Sequence, residues 1–184
     1  MAKKILMLAG DAVEALEIYY PYYRCLEEGF EPTIAAASTK KLHTVVHDFL
    51  DWETYTEKPA YLIDSHIAFS DVDPTDYDAL YIPGGRSPEH VRLNKEIPDI
   101  VGHFFEANKP IASVCHGSMI LTMVPNHIKN REFTAYIACK PEVEATGATY
   151  IDDVLHEEGN LVSGHAWPDL PGLMKMFISK VNNS

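Results

Sequence analysis

The chain has 184 residues, of which 46% are hydrophobic and 23% are charged. These proportions are typical of a single globular domain, here residues 1–184, and they exclude a disordered or fibrous chain. The 15 Lys and Arg against 27 Asp and Glu give a formal net charge of −12, which disfavours nucleic acid and anionic membranes as partners. No apolar stretch reaches the roughly 20 residues that span a bilayer, so we expect a soluble, cytoplasmic protein.

Short apolar runs alternate with longer amphipathic segments from the N-terminus onward. The first strand is predicted over Ile5–Ala9, and the first helix over Glu14–Glu28, which Pro21 should kink or split. A second strand is predicted over Pro32–Ala37. The segment Ser38–Asp73 interrupts the alternation and predicts an irregular loop with a short hairpin. Because it is longer than ordinary connections, we expect it to be functional or to contact another subunit.

Regular alternation resumes after this segment. Strands are predicted over Tyr77–Ile82, Pro110–Val114, Thr134–Tyr136 and Leu161–Gly164. Helices are predicted over Glu89–Asn108, Ser118–Met123, Pro141–Gly147 and Leu170–Val181. Alternating strands and helices are typical of an α/β fold with a mostly parallel sheet and helices on both faces. In such sheets, binding and catalytic sites form at the carboxyl ends of the strands.

The strongest local signal is the run Ile111–Ser118, where an apolar strand leads directly into Cys115-His116-Gly117 and then a helix. This is the layout of a nucleophile elbow, with Cys115 as the nucleophile. A thiol at a helix N-terminus meets the positive end of the helix dipole, which is expected to lower its pKa. The alternative is a buried cysteine that only packs at a strand end. Sequence adjacency alone does not place the His116 ring on the thiol.

Two further strand ends carry residues suited to the same chemistry. Gly84 and Gly85 let backbone N–H groups approach a developing negative charge, although an ordinary turn explains them equally well. Glu14 and Glu17 are neighbours on one helix face, and a carboxyl buried beside a thiol would have a raised pKa. Two solvated glutamates are the simpler interpretation. In a doubly wound sheet, these residues and Cys115 would meet in one crevice.

Three segments together resemble the ThiJ/PfpI superfamily. They are Glu17–Pro21, Tyr77–Glu89 and Ala112–Gly117. That family includes deglycases, intracellular proteases of the PfpI type and plant glutathione-independent glyoxalases. The resemblance covers nearly the whole chain in order, and it implies a flavodoxin-like three-layer sandwich akin to the class I glutamine amidotransferase domain.

The resemblance also implies a role for individual residues. Cys115 matches the family's nucleophile, His116 the histidine beside it, and Glu17 the carboxylate that hydrogen-bonds the cysteine. Gly85 and the His116 N–H match the oxyanion-stabilising positions. Glu89 matches a glutamate that reaches a neighbouring subunit's histidine in PfpI-type oligomers, which implies a homo-oligomer. From the residues alone, Glu89 would only offset a helix dipole.

Other segments resemble the plant glyoxalase-type domains in particular. They are Val46–Phe49, Thr54-Tyr55, Glu57–Pro59, Thr134–Tyr136 and Ala166–Pro168. Tyr136 and Trp167 are therefore expected to bind substrate, together with Gly84, Gly85 and Glu14. Departures from the family pattern at Ser118, Ile137-Ala138 and Asp169-Leu170 lie near the expected pocket rim, where they bear on the substrate more than on the nucleophile.

These features favour a glutathione-independent glyoxalase or protein deglycase, in which the Cys115 thiolate attacks an aldehyde such as methylglyoxal. Glu17 or His116 would then move a proton between two carbons, without metal or organic cofactor. One alternative is a PfpI-type cysteine peptidase acting on peptides, with Glu89 acting across a subunit interface. Another is a redox-sensing stress protein in which Cys115 oxidises without turnover. The residues predicted to be packing or subunit contacts are Cys25, Cys139, His43, His47, Trp52 and Tyr55.

Overall fold

A computed structural model describes residues 2–184. Its strands are β1 (Lys4–Leu8), β2 (Val13–Glu14), β3 (Glu31–Ala36), β4 (Lys41–Asp48), β5 (Thr56–Asp64), β6 (Ile67–Ala68), β7 (Ala79–Ile82), β8 (Ile111–Val114), β9 (Glu132–Phe133), β10 (Thr149–Tyr150), β11 (Leu155–Glu158) and β12 (Leu161–Gly164). Its α-helices are α1 (Ala15–Glu27), α2 (Ser87–Val91), α3 (Ile97–Glu106), α4 (Ser118–Leu121), α5 (Pro125–Ile128), α6 (Lys140–Ala145) and α7 (Leu170–Asn182). Within these residues, no helix combines the length and the apolar character needed to cross a membrane.

Seven strands form the central sheet in the order β11-β12-β8-β7-β1-β3-β6. All neighbouring strands are parallel except β11 and β12. Numbered along the chain, the five strands β1, β3, β7, β8 and β12 have the 2-1-3-4-5 order of a flavodoxin-like sheet. The predicted α/β class is confirmed. The strand order reverses between β1 and β7, so the carboxyl ends of these strands border the crevice in which such folds bind ligands.

Apolar side chains alternate between the two faces of this sheet. Ile5 of β1 belongs to the same buried cluster as Phe177 of α7, whereas Leu6 belongs to the opposite cluster with Phe104 of α3. All four side chains are completely buried. The two clusters are therefore separate apolar layers, one on each side of the sheet, and their burial from water stabilises the three-layer arrangement.

Helix α1 runs without interruption through Pro21, although the sequence suggested a kink or a split at that residue. Proline has no N–H, so the carbonyl of Glu17 lacks its usual donor four residues later. The hydroxyl of Tyr81 donates a 2.8 Å hydrogen bond to this carbonyl instead. Because Tyr81 is fully buried in β7, the bond satisfies a buried acceptor and ties the start of α1 to the middle of the sheet.

The segment Ser38–Asp73 is more regular than predicted. Strands β4 and β5 form a long antiparallel hairpin with an irregularity between His43 and Val45, and β2 adds to it parallel to β4. The prediction of an irregular loop with a short hairpin was wrong. Exposed and buried residues alternate along β4. The sequence alone does not show this alternation, because polar residues occupy some of the buried positions and an apolar residue occupies an exposed one.

Two other sequence predictions need correction. The single helix predicted over Glu89–Asn108 is two helices, because Pro98 lies in the first turn of α3 and favours a helix start there. The strand predicted over Thr134–Tyr136 lies beyond β9. There the Thr134 N–H donates to the Ser163 hydroxyl at 3.0 Å, and its side chain bonds the carbonyl of Asp153. Bonds to side chains take the place of a strand ladder in this segment.

Candidate active site around Cys115

Cys115 lies in the sharp turn that follows β8. Its φ is +57°, in the left-handed region that residues other than glycine seldom adopt. A single 3₁₀ turn over Cys115–Gly117 leads into the four-residue α4. A Cβ at Gly117 would lie 2.6 Å from the carbonyl oxygen of Ile82, so only glycine fits there. The thiol, with its residue 5% exposed, therefore sits on a strained strand-to-helix elbow.

Three strand ends converge on this thiol. Glu17 is fully buried, and its Oε2 accepts a 2.7 Å hydrogen bond from the N–H of Gly84. A Cβ at Gly84 would lie 2.7 Å from the Cβ of Cys115 and 2.8 Å from Oε2 of Glu17, so glycine is required between carboxyl and thiol. The backbone N–H groups of Gly85 and His116 favour the charged form of the sulfur, and together they can stabilise a negative charge.

Burial governs the protonation of the carboxyl and the thiol. Burial, followed by the nearby Glu14 charge, raises the pKa of Glu17 to about 8, against the opposing effect of the Gly84 N–H and the thiol. Glu17 therefore holds a proton at neutral pH and can donate it to a thiolate. Burial also raises the pKa of Cys115, and the Glu17 charge adds to that effect.

The expected lowering of the Cys115 pKa by a helix dipole was wrong. Helix α4 has only four residues, so its dipole is short, and desolvation of a charged sulfur outweighs it. Gly85 and His116 favour the thiolate through their N–H groups without reversing the direction. A reaction at this sulfur would therefore need a base that removes the thiol proton.

His116 is placed to be that base. Its Nδ1 lies 3.2 Å from the sulfur of Cys115. Burial, and then the charge of His47, lower the pKa of His116 to about 4, so the imidazole is neutral at pH 7. In the tautomer whose Nδ1 carries no proton, it can accept the thiol proton. The ring of Tyr136 packs beside it, with 5.0 Å between the ring centroids.

Glu14 lies beneath the site rather than on its surface. The residue is 1% exposed, and its Oε2 caps α1 by accepting a 2.8 Å hydrogen bond from the N–H of Glu17. Burial raises the pKa of Glu14 to about 7. The interpretation of Glu14 and Glu17 as two solvated glutamates was wrong, because β2 and α1 turn both side chains inward.

Glu89 lies apart from this cluster. It is exposed on α2, and within the described chain its side chain forms no hydrogen bond or ion pair with His116. An exposed side chain on this surface is available to a second subunit. The role of Glu89 across such an interface stays a prediction.

The β4–β5 hairpin brings residues to the site that sequence reasoning had assigned to a subunit contact. The Nε2 atom of His47 lies 3.2 Å from Oε2 of Glu57, and Glu57 accepts bonds of 2.7 and 3.0 Å from Arg86. The ring of Tyr55 lies 4.7 Å from that of His47 and 5.9 Å from that of His116. Two signals in the sequence pointed to this segment: its length and its many histidine and aromatic residues, and the resemblance of Val46–Phe49, Thr54-Tyr55 and Glu57–Pro59 to plant glyoxalase-type domains.

The two aromatic residues expected to bind substrate differ in their distance from the thiol. The N–H of Tyr136 donates a 3.2 Å hydrogen bond to the carbonyl of Cys115, which places Tyr136 directly beside that residue. Trp167 stacks on Phe49, with ring centroids 5.4 Å apart and an interplanar angle of 18°. It therefore belongs to the outer part of the site.

The other two cysteines pack in the apolar layers, as predicted. Cys25 and Cys139 are free and buried, and burial raises their pKa values to about 12 and about 11, respectively. Their thiols are therefore protonated at neutral pH. Across residues 2–184, no three His, Cys, Asp or Glu side chains come together as a possible metal site.

The buried Glu17 carboxyl predicts a characteristic pH dependence of stability. In the unfolded chain it ionises near 4.5, whereas in the folded chain it keeps its proton until about pH 8. The folded state binds more protons across this interval, so the free energy of unfolding falls as pH rises through it. We expect Glu17→Gln to remove about 2–4 kcal/mol of the fall between pH 5 and 8.

Urea unfolding curves at several pH values measure this slope. Glu27→Gln is the matched control, because its side chain is on the same helix and 75% exposed, and it should leave the slope unchanged. Equal slopes for the parent and Glu17→Gln would contradict the assignment of a protonated Glu17 at neutral pH.

The strand order of this sheet and the strained cysteine at its central crevice are together typical of one class, α/β proteins that carry a cysteine on a strand-to-helix elbow. Residues 3–180 match the model of the DJ-1/PfpI family, and the chain belongs to that family. The resemblance seen in the sequence is thereby confirmed.

Individual relatives match most of the chain. It is 37% identical over 175 residues to a deglycase of Thermococcus kodakarensis, covering 95% of this chain and 97% of that protein. It is 36% identical over 184 residues to protein DJ-1 homolog D of Arabidopsis thaliana, covering 96% of this chain and 47% of the plant protein. The chain thus spans about half the length of the plant relative and nearly all of the archaeal one.

A solved structure shows the same fold. A two-domain protein of Anabaena variabilis, with DJ-1/ThiJ/PfpI-like and ferritin-like domains, matches with a TM-score of 0.87 at 24% sequence identity. The match covers 98% of this chain and 48% of the Anabaena chain.

Proposed function

We propose that the protein is a glutathione-independent glyoxalase and deglycase that acts on α-oxoaldehydes and on their early adducts with amines. One observation carries the proposal: a buried carboxyl, two backbone donors and a neutral imidazole all meet one thiol, that of Cys115. This set can activate the sulfur, stabilise an oxyanion and transfer protons. The deglycase names of archaeal relatives matched over nearly their whole length support the same chemistry.

The reaction begins at the thiol. Its proton passes to Nδ1 of His116, and the sulfur attacks the aldehyde carbon, forming a C–S bond while the carbonyl π electrons move to oxygen. The N–H groups of Gly85 and His116, which face the sulfur, stabilise this oxyanion. Protonation of the oxygen by Glu17 gives a hemithioacetal. An amine adduct enters at the same point: the sulfur forms its bond to that carbon as the C–N bond breaks, and the free amine leaves with the proton that His116 took from the thiol.

Proton transfer between the two carbons completes the conversion. The Glu17 carboxylate left by the first step removes the proton from the thiol-bearing carbon, and the His116 imidazolium gives its proton to the ketone oxygen, which yields an enediol. Glu17 returns its proton to the neighbouring carbon, while the hydroxyl on the thiol-bearing carbon gives its proton to His116 and becomes the carbonyl of a thioester. Water then hydrolyses the thioester to a 2-hydroxy acid and free Cys115, and the proton on His116 returns to Glu17. For methylglyoxal the sum is addition of one water to give lactate, without an oxidant or reductant.

Lactate formation from methylglyoxal in the absence of glutathione tests the proposal. We expect a saturable rate with the parent protein and only background after Cys115 has been alkylated. Release of free amine from N-acetyl-lysine pretreated with methylglyoxal tests the deglycase half of the proposal. Peptide hydrolysis without lactate would favour the peptidase alternative, and oxidation of Cys115 without any product would favour the redox sensor.

A further inference from the structure

Four aromatic side chains extend outward from the nucleophile and are here called the aromatic wall: Phe49, Tyr55, Tyr136 and Trp167. Tyr136 and Tyr55 flank the His116 ring at 5.0 and 5.9 Å, and their own centroids are 5.7 Å apart. Phe49 contacts Tyr55 at 6.4 Å and stacks on Trp167 at 5.4 Å. The wall is therefore one continuous series of rings that starts at the catalytic histidine.

The aromatic wall keeps much of its apolar surface in water. Phe49 is 52% exposed, and the other three side chains are half-buried. Aromatic surface that remains exposed next to a nucleophile is a feature of binding sites, since folding alone would favour its burial. A flat apolar group on the substrate would cover these rings.

The wall also offers hydrogen-bond donors on the side of the thiol. Neither the Tyr55 nor the Tyr136 hydroxyl has a hydrogen-bond partner among residues 2–184. Burial, and then the charge of Cys115, raise the pKa of both phenols, so both hydroxyls are protonated at neutral pH and within electrostatic range of the sulfur. One of them can donate to the second oxygen of an α-oxoaldehyde bound at Cys115.

The hairpin that carries Phe49 and Tyr55 is held against the site before any substrate arrives. Glu57 of β5 binds Arg86 beyond the end of β7 and also contacts His47 of β4. The His47 ring then packs against Tyr55 at 4.7 Å. Since the wall is already ordered, little conformational entropy opposes the binding of a flat group to it.

We infer that the aromatic wall makes the site selective for α-oxoaldehydes that carry an aryl group, such as phenylglyoxal, over methylglyoxal. The inference rests on the proposed function and names the substrate class of that site. A methyl group leaves the rings exposed, whereas a phenyl group stacks on them while a tyrosine hydroxyl binds the ketone oxygen. From the energies of aromatic pairs, we expect about a tenfold preference in kcat/KM.

The test compares initial rates for phenylglyoxal and methylglyoxal, measured before arginine side chains react with either aldehyde. Each rate is corrected for the reactivity of that aldehyde toward N-acetylcysteine. The parent should prefer phenylglyoxal about tenfold, and Phe49→Ala and Tyr55→Leu should each lower that ratio at least about threefold. Tyr61→Ala is the matched control, because Tyr61 is on the same hairpin, 79% exposed, and should keep the parent's ratio.

A second readout separates failure of this inference from failure of the proposed function. Each aldehyde protects Cys115 from alkylation by iodoacetamide, and the protecting concentration reports binding without turnover. Stronger protection by phenylglyoxal that weakens in Phe49→Ala supports the inference even where no 2-hydroxy acid forms. A corrected ratio near one in the parent, or an equal ratio in the parent and Phe49→Ala, would overturn it.

Discussion

Replacing Cys115 with alanine is expected to lower lactate formation by at least about 10⁴-fold. In the proposed reaction we expect no other thiol to form the C–S bond, because Cys25 and Cys139 are buried in apolar layers and protonated at neutral pH. The fold should persist, since alanine leaves the elbow backbone in place and loses only one buried sulfur. We expect the free energy of unfolding to change by no more than about 2 kcal/mol.

Cys25→Ala is the matched control for this prediction. It removes another buried thiol, which is 0% exposed on α1 and has no contact with the site. Lactate assays and thermal unfolding of both variants make the comparison. If Cys115→Ala kept a tenth of the parent's rate with a normal melting temperature, the thiol mechanism would be wrong.

Gly85→Ala is expected to have the largest effect on stability, about 3 kcal/mol or more, and to abolish activity. Gly85 has φ +69°, and a Cβ there would overlap the backbone nitrogen of Glu14 and lie 2.5 Å from the carbonyl oxygen of Ala12. Neither backbone group can move without displacing the start of α1. The N–H that faces the Cys115 sulfur would be lost from its position at the same time.

Gly29→Ala separates steric overlap from backbone strain. Gly29 has a similar φ of +82°, but nothing lies within 4 Å of a Cβ placed there. Its substitution should therefore cost only about 1 kcal/mol, the penalty for a left-handed alanine. Urea unfolding of the two variants tests this difference, and similar losses of stability in both would show that overlap with Ala12 and Glu14 does not matter.

The sequence was sufficient to predict the centre of the site because parallel strands share one carboxyl edge. Cys115, Gly84 and Glu17 each follow a buried strand, and the 2-1-3-4-5 order brings those three ends together. The outer site was not predictable in the same way. The pairing of β4 with β5 brings Tyr55 and His47 close to the thiol. No local sequence pattern predicts which part of the sheet a hairpin will pack against.

The direction of the Cys115 pKa shift also lay beyond sequence reasoning. A strand-to-helix pattern gives the presence of a helix N-terminus but not the length of the helix or the depth of the thiol. Helix α4 ends after four residues, and the site is closed enough for desolvation to dominate. Burial also keeps Glu17 protonated, and the spacing of Glu14 and Glu17 in the sequence did not show that either side chain is buried.

The bond between Tyr81 and the Glu17 carbonyl has a consequence for which insertions and deletions the chain can tolerate. Pro21 leaves the Glu17 carbonyl without its donor from the next turn, and the Tyr81 hydroxyl binds that carbonyl. The bond therefore fixes the rotation of α1 about its own axis relative to the sheet. One residue added between Glu17 and Pro21 would turn the carboxyl by about 100° away from the sulfur. The same addition after Pro21 would shift only the end of the helix. We therefore expect α1 to tolerate inserted or deleted residues only in its second half, after Pro21.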